Sequence, residues 1–427
     1  MLYYVIKIFI QLYNRVYFKR MYISGEEHIP KAKPALIAAN HPNGFLDGTI
    51  VTSLTKKATL IFVRGDVFKK AWSNLVLRSL KLIPIFRVRD GEVRESVVQN
   101  NRSYDQLYDL FQKDQHVMIF PEGDSAPEKR LRTLRKGTAR IVNDMEGRND
   151  KQLTVAVVPL GINYSFYQGF GKELFLNFQE PIFLNDFREE GKSDSHAMNM
   201  FTRALHTRLK ELVVHVPLEY ETLAETGFDV LRAEQKPANR LVVKNNQWFK
   251  QQHRLAELLQ DEAQNGTSVL TDHLRGYQTI REKHQLPRAM PAPGALKLML
   301  SLIWFVPSVL SWLIFKLSFE FGKRIADRTI KKMELYDSVM YGIGMAINLV
   351  LDLVMLIGLL ITGAWLGALI YYAFRWQAAL FAHIRDTLLA WNNGLIWKKF
   401  SMNHPEDAAS ILTHRKAVLE AVQSGGK

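Results

Sequence analysis

Cysteine is absent from all 427 residues. That absence excludes disulfides, thiolate zinc sites, iron–sulfur clusters and cysteine nucleophiles, so any base or nucleophile is an oxygen or nitrogen group. Acidic residues are in deficit, 42 Asp and Glu against 56 Lys and Arg, which leaves a formal charge of +14. A surplus of this sign favours polyanionic partners: nucleic acid, anionic headgroups, or phosphorylated substrates with their carriers. The N-terminus has no long uncharged segment and no small-residue cleavage site, which argues against a cleaved secretory signal. No GxSxG elbow occurs, so an attacking hydroxyl is expected to come from a substrate. Disorder is excluded by the 47% of hydrophobic residues against 23% charged, and the length accommodates two to three domains.

What is present falls into three zones. Residues 1–18 are apolar and aromatic, interrupted by Lys7 and Arg15 and followed by Lys19 and Arg20. An interfacial helix fits this pattern, and an ordinary core helix is the alternative. From about 34 to 183, short apolar runs at 35–39, 58–63, 82–86, 117–120, 155–163 and 174–178 read as strands. Helical patterns lie between them at 67–80, 93–111 and 138–145, an alternation that predicts an α/β domain with a mostly buried sheet. A helix is expected at 197–214, and a polar helical segment follows, with a pair at 246–259 and 268–284. Pro287, Pro291, Pro293 and Gly294 then mark a boundary.

Beyond it, 298–317 carries no charge but Lys316, and 338–374 carries none but Asp352. The first stretch matches a hydrocarbon core of about 30 Å, while the second is roughly twice that span and should fold back near Gly358. Between them lies a basic connector with Lys316, Lys323, Arg324, Arg328, Lys331 and Lys332. Basic flanks on both sides leave the topology open between spans and re-entrant hairpins. Buried core helices in a soluble protein are the remaining alternative.

Four short motifs carry candidate chemistry. The strand at 35–39 runs into Asn40-His41-Pro42-Asn43-Gly44-Phe45-Leu46-Asp47. Proline suits a first helical turn, so His41 is expected where strand becomes helix, facing the crevice at the strand ends. A histidine beside a carboxylate can take a proton from a hydroxyl while the carboxylate fixes its tautomer. Six positions on an ideal helix put His41 and Asp47 about 240° apart, so the two meet only if 41–44 is non-helical. The second motif, 83–90, brings Arg87 and Arg89 to one side of an extended segment as an anion clamp, unless they simply pair with Asp90. The third, Phe120-Pro121-Glu122-Gly123, offers a carboxylate to bind a hydroxyl or anchor an arginine, with Lys129, Arg130, Arg132, Arg135 and Lys136 behind it. In the fourth, Val157-Val158-Pro159-Leu160-Gly161, proline is expected to end or edge an apolar strand.

In this order and spacing the four motifs resemble those of the glycerolipid (glycerol-3-phosphate and lysophosphatidate) O-acyltransferases, a PlsC-like family, over about residues 20–183. The branch with an extended membrane C-terminus is the most similar. The resemblance implies a glycerol-3-phosphate acyltransferase-like α/β fold, a mostly buried sheet flanked by helices, plus an all-α membrane-associated C-terminal region. The expected organisation is an interfacial membrane helix over 1–20, the acyltransferase domain over 21–215, a helical segment of unassigned role over 216–290 and a transmembrane or re-entrant region over 291–427. The catalytic pair falls on His41 and Asp47, separated here by five residues where the commonest family form has four. Arg87 and Arg89 match acceptor-phosphate binding, Glu122 and Gly123 acceptor binding, and Pro159 the acyl-donor site. The implied function is membrane-bound transfer of a fatty acyl group from acyl-CoA or acyl carrier protein to glycerol-3-phosphate, dihydroxyacetone phosphate or lysophosphatidate, with no metal and no resident cofactor. The catalytic domain is expected on the cytoplasmic side. Acylation of a lyso-aminolipid or other lysolipid, or non-catalytic lipid binding on the same fold, are the alternatives. Partners are then the acyl donor, the phosphorylated or lysolipid acceptor and membrane lipid. Nucleic acid is not among them, because the basic residues form no recognised reading module.

Overall fold

The computed structural model describes residues 2–55, 57, 59–64, 81–85, 103–148, 153–235, 241–290, 293–330 and 333–424. Among these, eight strands form one sheet in the order β4-β3-β5-β2-β6-β7-β1-β8. They are β1 Phe18–Ser24, β2 Ala35–Ala39, β3 Thr59–Arg64, β4 Leu82–Ile85, β5 His116–Ile119, β6 Ala156–Tyr164, β7 Lys172–Phe178 and β8 Val242–Val243. All neighbours are parallel except β6 and β7. The continuously apolar runs became inner strands, because a parallel sheet must bury both faces. On β2, Leu36 and Ala38 join one core while Ala35, Ile37 and Ala39 join the other.

Helix α1, Leu2–Tyr17, divides the two readings made of it. Tyr13, Val16 and Tyr17 are core residues, whereas Tyr4, Val5 and Ile8 are exposed. The helix stops at Tyr17, short of the expected residue 20, because Phe18–Ser24 enters the sheet as β1. Lys19 and Arg20 hid that strand in the sequence. Both are buried, Arg20 paired with Glu173 of β7 at 3.1 Å and Lys19 with Asp386.

One face of the sheet packs on α1, on α2 Gly44–Leu54 and on helices from the C-terminal part of the chain. The other packs on residues 103–111, α3 Gly137–Gly147 and α4 Asp194–Lys210 at one end. At its other end it packs on α5 Glu221–Ala233, α6 Gln247–Asn265, α7 Val269–Lys283 and the C-terminal α12 Pro405–Ser424. Within 216–290, Leu274 shares one core with Ile411 and Val418 of α12 and with Phe175 of the sheet. The expected helix at 67–80 lies outside the described residues.

Helix α8, Ala295–Thr329, runs through Pro307 and continues across most of the expected connector, so Lys316, Lys323, Arg324 and Arg328 sit on it. Helix α9, Met333–Ile361, passes Gly358 without turning, and the chain reverses after it, where Gly363 has φ +66°. A left-handed residue needs no side chain, so the second glycine was the better place to turn. Helices α10 Trp365–Arg375 and α11 Ala378–Asn403 complete the layer. Helices α8 and α9 are long and apolar enough to cross a membrane, and only 22% and 17% of their most apolar stretches are buried.

Candidate active site

Strands β2, β5 and β6 are parallel and end at one margin of the sheet, where antiparallel β7 and its neighbour β1 begin. Side chains that follow β2 and β5 therefore face the crevice at the strand ends. Asn40 closes β2 by exchanging two bonds with Ile162, its Nδ2 to the carbonyl at 2.9 Å and its Oδ1 from the amide at 2.7 Å. Helix α2 starts only at Gly44, with φ +43°, after Asn43, whose backbone at φ −143°, ψ 55° is neither helical nor extended. Pro42 thus precedes the helix instead of opening it. That delay lifts the angular constraint of an ideal helix.

His41 and Asp47 consequently meet, Nδ1 to Oδ2 at 2.9 Å. Asp47 is fully buried and receives two further bonds, from the Asn43 amide at 2.8 Å and from the Tyr164 hydroxyl at 2.8 Å. Burial first and the Asp47 charge second raise the Tyr164 hydroxyl well above its ordinary value, so it remains a donor. An ionised carboxylate only accepts, which assigns the proton to His41 Nδ1 and leaves the lone pair on Nε2. Nε2 has no hydrogen-bond partner among the described residues, and the ring is 17% exposed. It lies flat on Phe120, with centroids 3.7 Å apart.

Glu122 serves the second of the two roles read for it. Oε1 accepts from the Arg132 amide at 3.0 Å, and Oε2 accepts from the Arg132 guanidinium at 2.7 Å and the His41 amide at 3.2 Å. Its carboxylate ties Arg132 to the histidine, with Arg132 also donating to the Asp124 carbonyl. Gly123 has φ +76°, and a Cβ there would stand 2.7 Å from the Arg135 side chain. Pro159 neither ends nor edges its strand. It is buried mid-way along β6, between β2 and β7, beside Ala38 and three residues short of the level of His41. Its missing N–H is tolerated because the β7 ladder starts only at Leu160, and its carbonyl accepts from Gln179 at 3.1 Å. Arg87 and Arg89 lie outside the described residues.

The residues that sequence reasoning missed come from far along the chain. Asp337, near the start of α9, accepts from Asn43 Nδ2 at 3.1 Å and Lys172 Nζ at 2.6 Å through Oδ2. Its Oδ1 accepts from the Tyr17 hydroxyl at 2.6 Å and the Gly169 amide at 2.9 Å. Ser338 donates to the Asn43 carbonyl at 2.8 Å and accepts from the Leu46 amide at 3.0 Å. A helix almost three hundred residues away therefore grips the turn that carries His41. Lys172 is fully buried, its ammonium 5.3 Å from the ring centres of both Tyr17 and Tyr164. Burial holds it below its usual value although Asp337 pulls the other way. The one visible signal was a carboxylate placed directly before a long apolar run.

Comparison with family models matches residues 20–163 to the family described as Acyltransferase. No curated protein matches the chain. Among solved structures, the crystal structure of the 1-acyl-sn-glycerophosphate (LPA) acyltransferase PlsC from Thermotoga maritima is similar to this chain at 16% identity and a TM-score of 0.29. That similarity covers 44% of this chain and 72% of the Thermotoga chain. The matched segment runs from β1 to β6 and contains His41, Asp47, Glu122 and Arg132, so over residues 20–163 the chain is similar to the acyltransferase family.

Proposed function

We propose that this protein moves a fatty acyl group from acyl-CoA or acyl carrier protein to the hydroxyl of glycerol-3-phosphate, dihydroxyacetone phosphate or lysophosphatidate at a membrane surface. The observation that carries the reading is the His41–Asp47 contact of 2.9 Å, which leaves Nε2 as the unprotonated ring nitrogen at the sheet margin. Nε2 takes the proton of the acceptor hydroxyl, and that oxygen attacks the thioester carbonyl carbon. The carbon–sulfur bond then breaks, and the departing thiolate recovers the proton from the imidazolium. Asp47 stabilises the imidazolium through Nδ1. General-base assistance of this kind is worth about 10² to 10⁴ in rate.

Arg87 and Arg89 are assigned to the acceptor phosphate by the resemblance of their motif, and Arg132 adds a third cation beside the histidine. Glu122 and Gly123 act on the acceptor through the Arg132 and Arg135 contacts they support. Pro159 shapes the sheet beneath the acyl donor. Membrane attachment through α8 and α9, with the catalytic domain on the cytoplasmic side, keeps a lipid product in the bilayer where it forms. The test is an acceptor screen with the purified full chain and one radiolabelled long-chain acyl-CoA, products being identified by mass. An acylated phosphate ester is the expected product. His41→Ala should lower turnover by about 10² to 10⁴, and near-wild-type turnover of that variant would overturn the catalytic assignment. Arg132→Gln should chiefly raise KM for a phosphorylated acceptor.

A further inference from the structure

A cavity of about 290 Å³ lies between the sheet and the helical layer, lined by Lys19, Arg20, Glu173, Arg232, Lys297 and Asp386, with His383 at its wall. It is not the His41 centre. Arg20 and Glu173 sit on β1 and β7, whose neighbouring residues Met21, Lys172 and Leu174 lie on the Tyr164 side of the sheet. In the strand order β2-β6-β7-β1, strand β1 is three places, about 14 Å, from the strand that carries His41.

Its charges do not cancel. Four cations face two carboxylates across the lining. Each carboxylate is already neutralised by two cations: Glu173 by Arg20 at 3.1 Å and Arg232 at 3.2 Å, and Asp386 by Lys19 and by Arg385 at 3.2 Å. Burial pushes both carboxyls up, but these neighbours outweigh it and hold both below the usual range, so neither is lost to protonation. Lys297 has no carboxylate within ion-pair distance among the described residues. His383 is held neutral, down to about 4, by burial and then by Arg20 and Lys19. The Nε of Arg232 is buried without a hydrogen-bond partner.

Gly294, also in the lining, caps α8 without a side-chain bond, which leaves first-turn amides and the positive end of a 35-residue helix at the same cavity. Surplus positive charge around a cavity attracts a counter-anion. Several N–H donors converging with a helix start suit the oxygens of a phosphate. The rim is also where exposed apolar surface begins: Leu296 is 67% and Met299 52% exposed, one and two residues from Lys297.

We propose that this cavity is a second anion site which takes a phosphate group, and that its occupant is the headgroup of an anionic phospholipid entering from the bilayer side of α8. The phosphate chemistry stands without the acyl-transfer reading; the lipid source rests on the membrane placement of α8. Thermal unfolding of the full chain in maltoside micelles, titrated with dioctanoyl phosphatidylglycerol, dioctanoyl phosphatidylcholine or inorganic phosphate, tests both. Phosphatidylglycerol should raise the midpoint by about 3–6 °C at saturation, and phosphatidylcholine by much less. Lys297→Gln should weaken that response about tenfold and Lys297→Glu should abolish it. Lys297 is exposed and has no ion-pair partner among the described residues, so both variants should fold, and their unliganded midpoints check this. His41→Ala should leave the response intact.

Inorganic phosphate matching phosphatidylglycerol, with the same dependence on Lys297, would keep the site but make its ligand a soluble phosphate. A phosphatidylglycerol response unaffected by Lys297→Glu, or lost in His41→Ala, would overturn the proposal, as would no response to either phosphate probe. Flotation with phosphatidylcholine vesicles reports separately on membrane placement, since it requires no anion.

Discussion

Along β2 the buried side chains are Leu36 and Ile37 with small alanines between strands, and the same strand leaves nothing large in solvent. Along α8 the pattern inverts. Its buried positions include Ser301, Ser308, Ser311, Ser318, Gly322 and Ala326, while Leu302, Ile303, Val306 and Leu317 are exposed. In water, large apolar groups are driven inward. Helices in lipid gain nothing by hiding leucine and instead bring small residues together so that backbones approach closely. The two regions therefore expose opposite kinds of side chain, and they meet at Asp337, where α9 bonds to the turn that carries His41.

The largest effect is expected at that seam. Asp337→Ala strands a fully buried Lys172, which should cost about 3–5 kcal/mol and remove most acyl transfer, read as a lowered melting midpoint with loss of turnover. Asp337→Asn, which keeps the shape and one acceptor, should recover part of both. If the two regions were energetically independent, Asp337→Ala would change neither.

The solvent contrast is sharpened by a matched pair. Leu36→Ala in the sheet should cost about 2–5 kcal/mol, whereas Ile303→Ala on α8 should change stability in detergent by less than about 0.5 kcal/mol. Equal losses would mean that α8 packs against protein and not lipid.

A third measurement concerns pH and the sheet alone. His116, at the start of β5, is held down to about 4, by burial first and then by Lys57, and its Nε2 has no partner. Above pH 6.5 the ring is neutral folded or unfolded and contributes nothing. Below 6.5 the unfolded chain takes a proton that the folded one refuses, so stability falls as pH drops, by about 3 kcal/mol once pH reaches 4. His383 is held at a similar value and adds a second such slope. His116→Gln should therefore reduce the acid-side loss, measured by denaturant midpoints between pH 7 and 4.5. A smaller loss is expected within the α8 stripe, where Ser308→Leu overpacks a fully buried position at a cost of about 1–3 kcal/mol, and the smallest of all is that of Ile303→Ala.

Much of the sheet was legible because its strands carry their own signal. The runs at 35–39, 117–120 and 155–163 are apolar on both faces, and each appears within about a residue of its expected place. Strand β1 was not legible: Lys19 and Arg20 read as the basic end of an interfacial helix until Asp386 and Glu173 supply their counter-charges. In the candidate site, His41, Asp47 and Glu122 stand out by motif, since chemistry that needs a histidine and a carboxylate restricts the residue types allowed. Tyr164, Lys172 and Asp337 do not, because tyrosines, lysines and aspartates are common and only a fold selects among them.

By itself the amino-acid sequence determined the periodicities: alternating helix and strand, two long apolar helices, and a His-x₅-Asp spacing that no continuous helix could close. Periodicity is local, arising from side-chain patterns a few residues apart. Tertiary structure alone decided that Asn43 would delay the helix, that Glu122 would turn to Arg132, and that Asp337 would reach the same turn from the far end of the chain. Those outcomes depend on contacts between distant segments, whose closure is governed by the packing of the whole molecule and leaves no local pattern to read.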